Sequence, residues 1–398
     1  MNKLSSDKQT IPSKRKILFL LRDLERGGIP RVMLNLVSHI DPAKYSVDIF
    51  CGNPVGIFRD RIPANSRLLK TNFFLRAIMC NLAKEGLLFK TFAIFVKTMR
   101  KAGQRLFHYD ILNCINESVI KSLKTRKYDV IWACSEGLPS IWSRAAEGHC
   151  RKVIWIHNDY SWDCACGDKV ETTDFSIFDS IVCVSEFTRK NFCKVYPEYE
   201  SKTKVLYNLL NEKEILKMAE EYKNIQWDPA CFNILSIGRF SYQKNFEIIP
   251  QIAAELIAKG QKNFKWYIVG NGGIQETLLI QKSIKKHKVE EYVLLLGEQP
   301  NPYKFLKTAS LFALTSRYES YPTVINEAKF LGCPVISTDF NGVEEILDRK
   351  YGSSLPIEQF PAMIKSLIEE KAENGREEWR QDTSAIIEEF YKIISEGA

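Results

Sequence analysis

Twice in the second half of this chain an apolar run ends in glycine and gives way to a helical pattern. Phe232-Asn233-Ile234-Leu235-Ser236-Ile237-Gly238 precedes a helix predicted over 245–259, and Phe264-Lys265-Trp266-Tyr267-Ile268-Val269-Gly270-Asn271-Gly272-Gly273 precedes another. Runs with so few polar breaks read as strands buried on both faces, which need helices on either side. Strand and helix patterns alternate through both halves of the 398 residues, so two doubly wound α/β domains are predicted. That length supports large cores. The expected divisions are a polar tail over 1–13, a first domain over 14–207, a linker over 208–231, a second domain over 232–376 and a last segment over 377–398. A charged helix from Glu212 to Lys223 occupies the linker, and the last segment is helical from about Glu377 to Ser395. Strands of the second domain are expected near Ile234, Ile268, Leu294, Phe312 and Val335.

Ligands of open α/β sheets bind outside the carboxyl ends of the strands. Arg239 and Lys244, in the loop after the first run, are therefore placed to meet an anion: a guanidinium forks onto phosphate oxygens and an ammonium adds a compact charge. Farther on, Ser316-Arg317-Tyr318-Glu319-Ser320-Tyr321-Pro322-Thr323-Val324-Ile325-Asn326-Glu327 sets two carboxylates eight residues apart. Pro322 suits the first turn of a helix, which leaves Glu319 in the loop and Glu327 on the helix. Free backbone N–H groups around Ser320, Tyr321 and Thr323 suit a phosphate. A carboxylate only accepts hydrogen bonds, so each glutamate suits a pair of sugar hydroxyls. The plain alternatives are solvated carboxylates near a helix start and exposed loop cations.

Taken together these motifs resemble glycosyltransferase family 4, retaining nucleotide-sugar-dependent enzymes of the GT-B fold, in which two Rossmann-like domains face each other across a cleft. The resemblance covers most of the chain: Gly27-Gly28 with Arg31, His157 after a middle strand, Gly238-Arg239-Phe240 with Lys244-Asn245, Gly270-Asn271-Gly272, Gly297, and the glutamate segment running on to Gly332-Cys333-Pro334-Val335-Ile336. It implies that Arg239 and Lys244 bind the diphosphate, that Glu327 holds the ribose and that Glu319 holds the transferred sugar. The amides of Ser320, Tyr321 and Thr323 would touch phosphate. Gly270 to Gly272 and Gly297-Glu298 would border the base, and His157 would lie near the reacting face of the sugar. One departure stands out, since the family usually continues Asn-Gly where this chain has Asn208-Leu209.

The implied reaction is metal-independent transfer of a hexosyl group, with retention, from a nucleotide diphosphate sugar to a glycan or lipid-linked oligosaccharide of a surface polysaccharide such as capsule or lipopolysaccharide. UDP is the donor nucleotide on the frequency of that base in the family. The rival readings are a GT-B-like epimerase or phosphorylase and a non-catalytic membrane-associated sugar-nucleotide sensor or scaffold. Loss of Glu319, Arg239, Lys244 or His157 would mark the latter, and all four are present.

Composition narrows the setting. The start Met-Asn-Lys-Leu-Ser-Ser-Asp-Lys has no apolar signal region, so a cytoplasmic protein is expected. Eleven cysteines, scattered through apparent strands and helices, read as reduced small hydrophobes. His149-Cys150, Cys164, Cys166, Cys183 and Cys193 lack the usual zinc spacing, and no Asp-x-Asp pair is available for a divalent metal, so no metal and no cofactor is expected. The net charge is +8, and the stretch from Lys70 to Arg105 holds eight cations against Glu85 alone. There Leu88, Phe92, Phe95, Val96 and Met99 share one helical face and Lys90, Lys97 and Lys101 the other. A basic amphipathic helix suits the inner face of an anionic membrane or, equally, the outside of an ordinary domain. No apolar run is long enough to span a bilayer. Nothing in the basic stretch matches a nucleic-acid-binding motif.

Overall fold

The computed structural model describes residues 14–25, 27–160, 173–221, 225, 228, 230–370 and 379–396. The tail over 1–13, Cys164 and Cys166, and the residues expected to start the last helix lie outside them.

Two sheets organise the chain. The first contains β1 (Arg15–Asp23), β2 (Tyr45–Asn53), β3 (Ser66–Leu68), β4 (Val130–Ala133), β5 (Arg151–Ile156), β6 (Ser180–Cys183) and β7 (Thr203–Val205), in the order β3-β2-β1-β4-β5-β6-β7. The second contains β8 (Phe232–Ile237), β9 (Phe264–Val269), β10 (Val293–Gly297), β11 (Leu311–Leu314), β12 (Val335–Thr338) and β13 (Gly352–Leu355), in the order β10-β9-β8-β11-β12-β13. The pairings β1–β2, β1–β4, β8–β9, β8–β11 and β11–β12 are parallel, as crossover helices require. In both sheets the order reverses beside the central strand, β1 in one and β8 in the other. That makes the ends of β8 and β11 neighbours, and the candidate site forms there. All five strands expected in the second domain are present. The sixth, β13, was not foreseen, because Gly-Ser-Ser-Leu carries no apolar run and its place is set by pairing with β12.

The described residues fall into two compact units. The first lies within Met1–Ile156, Glu171–Ile181 and Glu389–Ala398, the second within His157–Val170 and Val182–Glu388. In the first unit Trp132 is buried against Trp155 at 5.6 Å and against Phe390, from the end of the last helix, at 5.3 Å. That end is held further by Arg15, which donates to the Ile394 carbonyl at 3.1 Å, and by stacking of Tyr391 on Tyr45 at 5.3 Å.

Several helices are shorter than their sequence pattern. The helix expected over 245–259 begins with Asn245 in the left-handed region (φ 54°) and a 3-10 turn, and the α-helix runs from Ile249 to Ala258. The charged linker helix is Glu212–Ala219, and the last helix is Thr383–Ser395. Asn208-Leu209, the departure from the family pattern, needs no glycine: neither residue has positive φ, and Leu209 is buried. Gln381 supports the segment by donating to the Asn208 carbonyl at 2.8 Å and accepting from the Leu210 N–H at 2.9 Å.

The basic stretch forms helices Phe73–Met79 and Leu87–Phe107, which pack on each other through Ala77, Cys80, Ala93 and Val96. This corrects the expected amphipathic face. Val96 is buried, but Leu88, Phe95 and Met99 are exposed. Lys97 is not a free surface cation either, because its Nζ donates to the Cys80 carbonyl at 2.7 Å.

Glycines at the ends of β8 and β9 are there for packing. A Cβ on Gly270 (φ 155°) would stand 1.8 Å from the Gly238 carbonyl oxygen, and one on Gly272 would stand 2.5 Å from the Phe240 Cβ. Gly270→Ala is therefore expected to cost about 3 kcal/mol or more, because backbone cannot yield as a flexible side chain would. Urea denaturation giving a loss under about 1 kcal/mol would contradict this close packing.

Candidate functional site

β8 and β11 are adjacent parallel strands, so the loops that follow them emerge side by side. They are tied by hydrogen bonds: Thr315 Oγ1 donates to the Lys244 carbonyl at 2.9 Å, and the Arg317 N–H donates to the Gln243 carbonyl at 2.8 Å. Arg317 also lays its guanidinium over the Tyr242 ring at 4.0 Å and bonds Glu247 at 3.0 Å. The result is a rigid double loop that carries charged groups.

At its centre Lys244 Nζ meets Glu319 Oε1 at 2.5 Å, with both side chains largely withdrawn from solvent. Ser316 Oγ donates to the same oxygen at 2.6 Å, and Gln243 Nε2 reaches Oε2 at 3.2 Å and the Tyr318 carbonyl at 3.1 Å. Glu319, only 7 % exposed, is thus oriented by three donors. A withdrawn ion pair of this kind gains its stability from such additional hydrogen bonds, which offset desolvation. Arg239 differs: it is exposed and pairs with no acid among the described residues. Two cations expected to act alike therefore stand in different states, one paired and one open.

The second glutamate sits on the helix Thr323–Phe330, where Glu327 is 2 % exposed. Pro322 occupies the position before the first helical residue rather than the first turn itself. The backbone N–H groups of Ser320, Tyr321 and Thr323 donate to no described residue, which leaves the helix start able to receive an anion. Tyr321 is itself anchored, its hydroxyl accepting from Asn326 Nδ2 at 3.2 Å, and burial pushes its pKa up to about 12. Two residues past Glu327, the buried Lys329 donates to the Ile346 carbonyl at 2.5 Å and lies 4.1 Å over the Trp379 ring, and burial brings its pKa down to about 8.

The glycine segments converge on the same strand ends. Gly238 N–H bonds the Val269 carbonyl, Phe240 N–H the Asn271 carbonyl and Gly270 N–H the Gly297 carbonyl, at 3.0, 2.8 and 2.9 Å. Gly297 (φ 68°) has open space where a Cβ would stand, so a ligand can approach its backbone. Glu298 and Asn271 are exposed beside it. Gly27 and Gly28, at the start of the helix Gly28–Ser38, lie in the first unit and likewise face open space. Within the second unit a cavity of about 230 Å³ is lined by Asp159, Arg317, Tyr318, Glu319, Asp339, Phe340 and Asn341.

His157 follows β5, and desolvation pushes its pKa down to about 3. It is neutral at physiological pH and can serve as a hydrogen-bonding group rather than a cation. Because its folded pKa lies below the ordinary 6.5, the unfolded chain takes up the proton first, and stability falls as pH drops from about 6.5 towards 3. His157→Asn should flatten the pH–stability curve in that window by up to about 1.4 kcal/mol per pH unit relative to wild type. Parallel curves for the two proteins would show that His157 is not desolvated.

Sequence reasoning brought Lys244, Arg239 and Glu319 to one place but missed Gln243 and Ser316. Their signal was position alone: Gln243 adjoins Lys244, and Ser316 opens the glutamate run. Among the described residues no group of three His, Cys, Asp or Glu side chains could hold a metal.

Residues 218–384 match the family described as Glycosyl transferases group 1. An uncharacterized glycosyltransferase of Methanocaldococcus jannaschii is 29 % identical over 49 % of this chain and 50 % of its own length. An N-acetylgalactosaminyltransferase of Campylobacter jejuni, named for a diacetylbacillosaminyl-diphospho-undecaprenol acceptor, is 31 % identical over 42 % of this chain and 43 % of its own. The chain thus spans half the length or less of these relatives. HepE of Anabaena, solved with UDP and glucose, superposes with a TM-score of 0.63 at 18 % identity over 96 % of this chain and 95 % of that one. The two parallel sheets accordingly have the GT-B fold, and residues 218–384, which carry the double loop and the glutamate helix, are similar to the glycosyl transferases group 1.

Proposed function

We propose that the chain is a retaining, metal-independent glycosyltransferase that moves a hexosyl group from a UDP-sugar to a glycan or lipid-linked oligosaccharide in surface polysaccharide biosynthesis. The carrying observation is the oriented cluster of Lys244, Glu319, Gln243 and Ser316 beside an open Arg239 and a helix start with free N–H groups. Cations and amides of this kind bind a diphosphate, while a fixed carboxylate binds sugar hydroxyls. The two relatives named above carry glycosyltransferase names, and HepE, which resembles this chain in fold, was crystallised with UDP and glucose.

In this reading Arg239, Lys244 and the amides of Ser320, Tyr321 and Thr323 hold the diphosphate. Glu327 takes the ribose, and the backbone of Gly270 to Gly272 and Gly297-Glu298 borders the base. Glu319 and His157 position the sugar. The acceptor hydroxyl oxygen bonds to the anomeric carbon as the bond from that carbon to the phosphate oxygen breaks. The acceptor's proton passes to the departing phosphate oxygen, and the cations stabilise the charge that grows there. The nucleotide enters as co-substrate, and no cofactor or nucleic acid takes part. The protein works at the cytoplasmic face of the membrane, with 70–105 meeting an anionic lipid surface.

The test is incubation with radiolabelled UDP-hexoses and membrane extract. Label should enter the lipid fraction and continue to do so in EDTA. Label confined to small water-soluble products, transfer only from GDP-mannose, or loss in EDTA with rescue by manganese would overturn the assignment. A thermal-shift screen of UDP-, GDP- and ADP-sugars checks binding separately, since a ligand at 100 times its Kd adds ~2.7 kcal/mol.

A further inference from the structure

Nine of the sixteen exposed large apolar side chains among the described residues lie between Phe73 and Tyr109. Six of them stand on the helix Leu87–Phe107, four in one line and two, Leu87 and Ile94, off it on the side of Lys101 and Arg105. Leu88, Phe95, Met99 and Leu106 are 88, 63, 53 and 71 % exposed. Their spacings of seven, four and seven residues bring all four onto one line of a 3.6-residue helix. At 1.5 Å per residue that line is about 27 Å long. The helix buries a different sector, through Ala93 and Val96, so the stripe takes no part in the core.

The cations sort just as clearly. Arg76 is paired with Glu85 at 2.7 Å, Arg100 with Asp110 at 2.7 Å, and Lys97 is tied to the Cys80 carbonyl. Lys90, Lys101 and Arg105 carry no ion pair among the described residues. By helical geometry Lys101 and Arg105 fall on the exposed sector beyond the stripe, with Thr91 and Thr98 between.

We propose that the helix Leu87–Phe107 lies in the plane of an anionic bilayer, inserting the Leu88–Phe95–Met99–Leu106 stripe at the acyl boundary while Lys101 and Arg105 reach the headgroups. The occupant follows from the joint character of the face. A long apolar line edged by unpaired cations suits a surface that is apolar beneath an anionic layer. Insertion, and not charge attraction alone, is the main source of affinity, since half of the basic residues in the stretch are engaged within the protein. The proposal deepens the membrane contact stated under the proposed function and replaces its lysine-centred version with named inserting side chains.

Vesicle sedimentation tests it, with full-length protein and vesicles of phosphatidylcholine with or without phosphatidylglycerol. Wild type should pellet with the anionic vesicles and keep a measurable part of that binding in about 1 M salt, where charge attraction is screened. Phe95→Glu/Met99→Glu should weaken binding roughly tenfold or more at both salt levels, whereas Lys101→Glu/Arg105→Glu should weaken it mainly at low salt. All variants change exposed side chains, and each should retain the thermal shift of wild type on addition of UDP. Wild type left in the supernatant at low salt, a Phe95→Glu/Met99→Glu protein that pellets like wild type, or full release by salt would overturn insertion. So would a wild-type dimer that this double variant dissociates, which would assign the stripe to a second copy. UDP binding without vesicle binding rejects this inference alone, and vesicle binding without UDP binding rejects the transferase reading alone.

Discussion

Replacing Lys244 with alanine is expected to lower turnover by roughly 10²–10³-fold, the effect of removing one group that stabilises charge in a transition state. The ion pair complicates the reading, because Glu319 would then lie withdrawn from solvent with only Ser316 and Gln243 as donors. Breaking a buried pair costs about 3–5 kcal/mol, so some loss could reflect folding. The double variant Lys244→Ala/Glu319→Gln resolves this, since it removes the unpaired charge while keeping an amide of the same shape. Stability should return in the double variant, which isolates the folding part of the loss, and the turnover part is read from Lys244→Ala at a temperature where it stays folded. A Lys244→Ala protein that is stable and within a few-fold of wild-type kcat would remove the lysine from the phosphate site.

The second large effect separates the two glutamates. Glu327→Gln should weaken UDP binding by about 10-fold or more, because an uncharged amide would replace the carboxylate proposed to take the ribose hydroxyls. Glu319→Gln should leave UDP binding intact or strengthen it, because Lys244 gives up its charged partner and becomes free for phosphate. Transfer should nevertheless fall, since the sugar loses its anionic acceptor. Titration calorimetry with UDP, set beside transfer rates, reads both quantities. Equal loss of UDP affinity in the two variants would show that their roles are misassigned.

Much of the site was legible in the chain because its elements are local. The buried strands β8 and β9 announce themselves by apolar runs with few polar breaks, and a proline before a helix separates a loop glutamate from a helical one. Contacts that depend on two distant segments were not legible. Nothing in the run around Glu319 says that Gln243, 76 positions earlier, orients it. Nothing in a lysine-rich helix says that Lys97 is spent on the Cys80 carbonyl. β13 was missed for a related reason, since its strand character comes from its neighbour β12 and not from its own residues.

The amino-acid sequence by itself determined the α/β class, the parallel sheets and the glycine-bounded loops, and it marked the charged residues proposed for the site. Those follow from periodicity, backbone restriction and residue chemistry, each set within a few residues of chain. The tertiary structure alone decided that Lys244 is paired while Arg239 is open, that Gly270 is packed against Gly238, and that the apolar line of the basic helix faces solvent. Which cation is neutralised and which apolar face is left uncovered depend on what another part of the chain places within a few ångströms, and helical periodicity marks a face without saying which side is buried.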